Sequence, residues 1–126
     1  MERKQVTLEF LFRASPTILY TFITTPACLI RWFCDGVDIR GNTYLFSWGS
    51  STEAAELIDD IEEERVRFQW ESAESDDEFL EFRISESPVT NETILEIVDY
   101  CDADELEDQK RYWETLMQEL RKETGG

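Results

Sequence analysis

The chain has no histidine among its 126 residues, so acid, base or nucleophilic chemistry would fall to carboxylates, tyrosines and cysteines. A serine–histidine–acid triad and a cysteine–histidine pair are both excluded, as is zinc held by imidazole. Cys28, Cys34 and Cys101 are too scattered for a paired thiolate motif. Beside Cys34, the negative charge of Asp35 opposes thiolate formation. An odd cysteine number without a regular framework points to reduced thiols. Among the carboxylates, Glu56, Glu81, Glu96 and Asp99 lie in or near apolar strands, where burial would raise a pKa toward neutrality. Their alternation with apolar residues assigns them instead to solvated faces. Asp102, Asp104 and Asp108 suggest a calcium loop, but Glu107 stands at its turn-glycine position and Trp113 at its terminal carboxylate position. The five glycines form no phosphate-cradling loop. No catalytic residue, metal site or cofactor follows.

Charge narrows the partners. Twelve Lys plus Arg against 29 Asp plus Glu leave a net charge of -17, which repels a phosphate backbone or an anionic lipid surface. The acidic residues are interspersed with apolar ones, as on a solvated surface. Four Trp and eight Phe suffice for a core, and the length fits one domain over residues 1–126. No apolar run follows Met1-Glu2-Arg3-Lys4, and no stretch approaches the roughly 20 apolar residues of a membrane span. A cytoplasmic location is the expectation, which makes the Asn91-Glu92-Thr93 sequon irrelevant.

The elements that would position any site are readable from periodicity. Val6, Leu8, Phe10 and Phe12 share one side of a first strand. Ser15 is a helix N-cap and Pro16 suits a first turn, with Ile18, Leu19, Phe22 and Ile23 as the apolar stripe. Thr25-Pro26 leads to a second short helix carrying Leu29, Ile30, Trp32 and Phe33, which ends at Asp35-Gly36. Alternation then predicts strands at Val37–Ile39, Tyr44–Trp48, Val66–Trp70, Leu80–Ile84 and Ile94–Val98, with a turn at Gly41-Asn42. In Ser51–Glu64, Ala54, Leu57, Ile58 and Ile61 have helical spacing. The last segment, Ala103–Glu123, is an amphipathic helix with Leu106, Trp113, Leu116, Met117 and Leu120 on one face, a capping box of Asp104 and Glu107, and Gly125 as its stop.

Taken in order, Ser15-Pro16, Leu19, Phe22, Thr25-Pro26, Arg31-Trp32-Phe33, Tyr44-Leu45-Phe46-Ser47-Trp48, Glu64 to Trp70 and Trp113 resemble a START-like, helix-grip domain. The pattern is most similar to the branch of heat-shock-protein ATPase activator homologues and polyketide cyclase-like proteins. That resemblance implies an α+β fold: a curved antiparallel sheet of six or seven strands around the long C-terminal helix, with two short helices after the first strand. It makes Glu53–Ile61 a strand followed by a Glu62-Glu63-Glu64 turn, against the local helical pattern. It also implies a pocket between sheet and last helix, with Trp32, Phe33, Tyr44, Phe46, Trp48, Phe68, Trp70, Phe82, Trp113, Met117 and Leu120 as candidate ligand-binding residues. Each of these is equally a core residue by type. The expected function is non-enzymatic binding of a small hydrophobic or lipid-like molecule, gated by the short helices or the Asp35-Gly36 loop. The alternative is an acidic interaction domain docking a basic protein partner, and a weaker one is cyclase-like catalysis.

Overall fold

Alternation in the first segment does fold it into an extended strand, β1 (Arg3–Phe12), whose Val6 and Phe12 are buried. Residues 2–126 are described by the computed structural model. After β1 come two helices, α1 (Pro16–Thr24) and α2 (Pro26–Leu29). Six strands follow: β2 (Gly36–Arg40), β3 (Thr43–Trp48), β4 (Ser51–Ile61), β5 (Arg65–Trp70), β6 (Leu80–Glu86) and β7 (Thr93–Asp102). A 3-10 turn at Ala103–Glu105 leads into α3 (Leu106–Thr124). The seven strands form one antiparallel sheet ordered β1-β7-β6-β5-β4-β3-β2. Every strand from β2 to β7 pairs with its sequence neighbour, and β1 alone makes a distant pairing, Arg3 with Asp102 through Phe12 with Thr93. This is the α+β helix-grip arrangement, with α3 lying against the inner face of the sheet.

Local chemistry explains the punctuation. Ser15 Oγ accepts the Ile18 N–H at 3.2 Å and Pro16 opens α1, a cap worth about 1 kcal/mol. Leu19 and Ile23 turn that helix toward the core at 0% exposure, while Ile18 stays 43% exposed. The short helices are pinned by side chains beneath them. The Trp32 indole donates to the Phe22 carbonyl at 2.9 Å, Tyr44 OH to the Thr24 carbonyl at 3.1 Å, and the Trp48 indole to the Phe33 carbonyl at 2.7 Å. Gly41, at φ +62°, makes the β2–β3 turn, a conformation that costs an L side chain energy. Gly125 ends α3 at φ +95° in a left-handed cap.

Three features depart from the sequence reading. Helix α2 ends at Leu29, so Ile30, Trp32 and Phe33 lie in the turn after it rather than in the helix. The Asp104–Glu107 capping box does not form: the 3-10 turn delays α3 until Leu106, and its N-cap, Glu105, makes no side-chain cap bond. Glu81 alternates onto the outer face, as expected, yet it is not solvated there and has 0% exposure. Arg67 on β5 donates to it at 2.7 Å, Arg83 also donates to it, and Arg83 reaches on to Glu96 at 3.4 Å. The Arg67 guanidinium lies 4.1 Å from the Phe79 ring centroid. Burial of this carboxylate is tolerable because two cations neutralise it. Glu96 sits on the same outer lattice, and Glu56 is exposed on β4.

Candidate functional site

The inner face of the sheet divides the eleven aromatic and aliphatic candidates into two groups. Tyr44, Phe46, Phe68, Phe82, Trp32, Met117 and Leu120 are buried and fill the space beneath α3 with one another. Tyr44 and Phe68 meet edge-on at 5.0 Å between centroids, Phe46 and Phe68 at 5.9 Å, and Trp32 and Phe82 at 6.2 Å. Phe33, Trp48, Trp70 and Trp113 instead border a solvent-open groove of about 460 Å³. Phe33 and Trp113 stack at 6.3 Å and are almost fully covered, so they form the floor that separates groove from packed core. Trp48 lies 5.6 Å from Phe33 and 6.2 Å from Trp70, making one aromatic wall. Sequence order puts those rings together because Trp48 and Trp70 end β3 and β5, at the same end of the sheet, against the Phe33 turn.

The helix side of the groove brings residues that sequence reading did not assign to the site: Tyr112, Gln109 and Asp108, with Glu53, Leu80, Asp99 and Tyr100 from the sheet. Asp99 is the polar centre. Its carboxylate accepts the Trp113 indole N–H at 2.9 Å, the Gln109 amide at 2.6 Å and the Tyr100 backbone N–H at 2.8 Å. Gln109 and Trp113 stand four residues apart on α3, so one helix face presents both donors. That spacing was visible in the sequence. Which side of β7 carried Asp99 was not, and the cross-strand pairing of Asp99 with the buried Val6 decides it.

Among the described residues, the charged side chains lining this groove are Glu53, Asp99 and Asp108, with no cation among them. The field is felt by Tyr112, whose phenol is pushed up to about 12, chiefly by desolvation and then by Asp99 and Glu53. Burial, with the Asp35 charge, likewise pushes the Cys34 thiol up to about 11. Cys28, Cys34 and Cys101 are all free thiols. The acidic run after β7 brings Asp102, Asp104 and Glu105 together, but Arg3 already donates to Asp102 at 2.9 Å and holds its pKa down. A second hollow of about 320 Å³ lies on the outer face around Arg65 and Arg83. It is separated from the aromatic grip by the sheet itself. Among the described residues no helix is long and apolar enough to cross a membrane.

Comparison with known proteins agrees with this fold. The START-like superfamily domain model matches residues 1–126. The solution structure of BfR322 from Bacteroides fragilis is 32% identical over 97% of this chain and 91% of that one, with a TM-score of 0.69. The Aha1 dimer from Colwellia psychrerythraea shares the fold at a TM-score of 0.79 and 16% identity, covering 96% of each chain. CalU16 from Micromonospora echinospora does so at 0.71 and 20% identity, over 95% of this chain and 73% of its own. No curated protein matches. With the family match spanning every element that builds the grip, the chain belongs to the START-like superfamily.

Proposed function

We propose that this domain binds a small hydrophobic or lipid-like molecule, without catalysis, in the groove between the sheet and α3. The observation that supports this reading is the aromatic groove itself: about 460 Å³, walled by Trp48, Trp70 and Tyr112 and floored by Phe33 and Trp113. That volume lies in the usual range for small-molecule sites, and the fold often serves such ligands. Binding would remove apolar ligand surface from water, with the Asp99 cluster giving orientation. Phe33 and Trp48 link the groove to the turn before Asp35-Gly36, so movement of that turn would open or close the mouth. Cyclase-like chemistry has weaker support. Asp99 is engaged by three donors, and a phenol near 12 at Tyr112 is a poor proton acceptor or donor at neutral pH. Free cysteines fit a reducing compartment such as the cytoplasm.

The test is native mass spectrometry of gently purified protein, compared with the same sample denatured. A discrete releasable mass identifies the ligand. Trp48→Ala should weaken rebinding of that molecule by roughly tenfold or more while the far-ultraviolet spectrum stays folded. Unchanged rebinding would refute the groove assignment.

Two observations favour a second reading. The inner half of the grip is filled by its own aromatics, and the net charge of -17 suits an acidic surface that docks a basic protein. Capture of such a partner would fall steeply with salt, because exposed charges are screened within about 10 Å at ~0.1 M ionic strength. Salt-insensitive capture would count against it.

A further inference from the structure

We infer that the groove selects organic cations: its ligand carries an ammonium or comparable positive group on a hydrophobic body. This rests on the binding reading above and names the chemistry of the same site. Two independent properties of the lining converge on it. The charged side chains at the groove are all carboxylates, Glu53 from β4, Asp99 from β7 and Asp108 from α3, so three separate elements surround one volume with one sign. The remaining wall is rich in π faces. Trp48 and Trp70 stand 6.2 Å apart, and Tyr112 meets Trp113 edge-on at 5.4 Å. Aromatic faces attract cations through their quadrupole, and most strongly when water is excluded. An anionic headgroup would face carboxylates with no Lys or Arg among the groove's lining residues, while a neutral ligand would gain only burial.

The neighbourhood strengthens the assignment. Positive side chains are scarce in the whole chain, and those on the sheet are committed elsewhere: Arg67 and Arg83 to Glu81, Arg65 to Asp59, Arg40 to Asp38, Lys4 to Glu2, and Arg3 to Glu78 and Asp102. Asp99 keeps a fixed orientation because Trp113 and Gln109 hold it. Glu53 and Asp108 are exposed; among the described residues Glu53 makes no ion pair, and Asp108 pairs along its own helix with Arg111 at 2.9 Å. That pair is solvent-exposed, with both side chains more than 70% accessible, and exposed pairs of this kind contribute little. With Asp108 offset by Arg111, Glu53 and Asp99 still face the groove with no cationic partner among the described residues, so it retains a negative potential toward an entering ligand.

The experiment uses three amphiphiles with the same tail: decyltrimethylammonium, the neutral decyldimethylphosphine oxide and decyl sulfate. Each is titrated below its micelle concentration, with tryptophan emission as the readout. The cation should bind at least about tenfold tighter than the neutral compound, a factor of ten being 1.4 kcal/mol, and the sulfate more weakly than either. Because any protein of this charge attracts cations, two double variants separate site from background. Glu53→Gln with Asp108→Asn should cut the cation-over-neutral preference at least about threefold, Asp99 remaining in place. Glu62→Gln with Glu86→Gln, an equal charge change at exposed positions outside the groove, should preserve it. Equal affinity for all three amphiphiles, or equal loss in both double variants, overturns the cation inference and leaves hydrophobic binding standing. Absence of saturable binding by any of the three overturns both.

Discussion

Replacing Trp113 by Phe isolates the contribution of one indole to both the core and the Asp99 cluster. The side chain is 1% exposed, contacts Phe33 and Phe82, and donates to Asp99 at 2.9 Å. Loss of roughly 40 Å³ of side chain at ~24 cal/mol per Å³ of residual cavity costs about 1 kcal/mol. Loss of a hydrogen bond to a carboxylate adds about 1 kcal/mol, the low end of the range, because Gln109 and the Tyr100 N–H still satisfy Asp99. The variant should therefore be destabilised by about 2 kcal/mol, against 3–5 kcal/mol typical of Trp→Ala in a core. Urea unfolding followed by far-ultraviolet circular dichroism measures it, with an unchanged slope confirming an intact two-state transition. A double-mutant cycle with Asp99→Ala, which removes the acceptor, should yield a coupling of about 1 kcal/mol. Strict additivity, or a loss below about 0.5 kcal/mol, would refute the claim that this indole ties α3 to β7.

Three further outcomes follow from the geometry. Glu81→Ala should destabilise by about 2 kcal/mol in the same denaturation assay. This is less than the usual cost of breaking a buried pair because the orphaned Arg67 and Arg83 keep access to water at 29% and 51%; a neutral result would mean the outer lattice contributes nothing. Ser15→Ala should cost about 1 kcal/mol by removing the cap on the Ile18 N–H, and a full-strength helix without it would contradict that bond. At about pH 8, iodoacetamide should modify the half-exposed Cys28 well before the buried Cys34, whose thiol is pushed up to about 11. Peptide mapping showing equal rates would refute the burial argument. The sign of the linkage is fixed: the unfolded thiol loses its proton near its ordinary value of 9.0 while the folded one keeps it to about 11, so this group's contribution to stability is lost as pH rises through that window.

Sequence periodicity revealed most strands because each has one face toward the common core and one outside. It failed locally at Ser51–Glu64, where Ala54, Leu57, Ile58 and Ile61 mimic a helical stripe. The reason is a break in the β4–β5 register between Leu57 and Asp59, which resets the alternation and leaves Ile58 and Ile61 exposed at 44% and 38%. Family order, not local pattern, identified that segment as a strand. The aromatic candidates were legible as a set. Their division into packed core and open groove was not, because it depends on how far along each strand a ring sits when α3 is laid over the sheet. Asp99 and Glu81 illustrate a second limit: both are acidic residues in alternating strands, and only cross-strand neighbours distinguish a groove anchor from an outer-face ion cluster.

The solitary distant pairing of β1 has a kinetic consequence. Strands β2 to β7 join by successive hairpins, so each can zip onto the one before it with a short loop to close. The β1 strand has no such neighbour, and its Arg3 meets Asp102 across 99 positions of sequence. In chain order β1 precedes its partner strand by the whole rest of the sheet, and its Val6, Leu8, Phe10 and Phe12 stay uncovered until β7 has paired with it and α3 has closed over that face. Docking of that strand is therefore the late, high-contact-order event of folding, and its apolar face is the surface that a nascent-chain chaperone would meet.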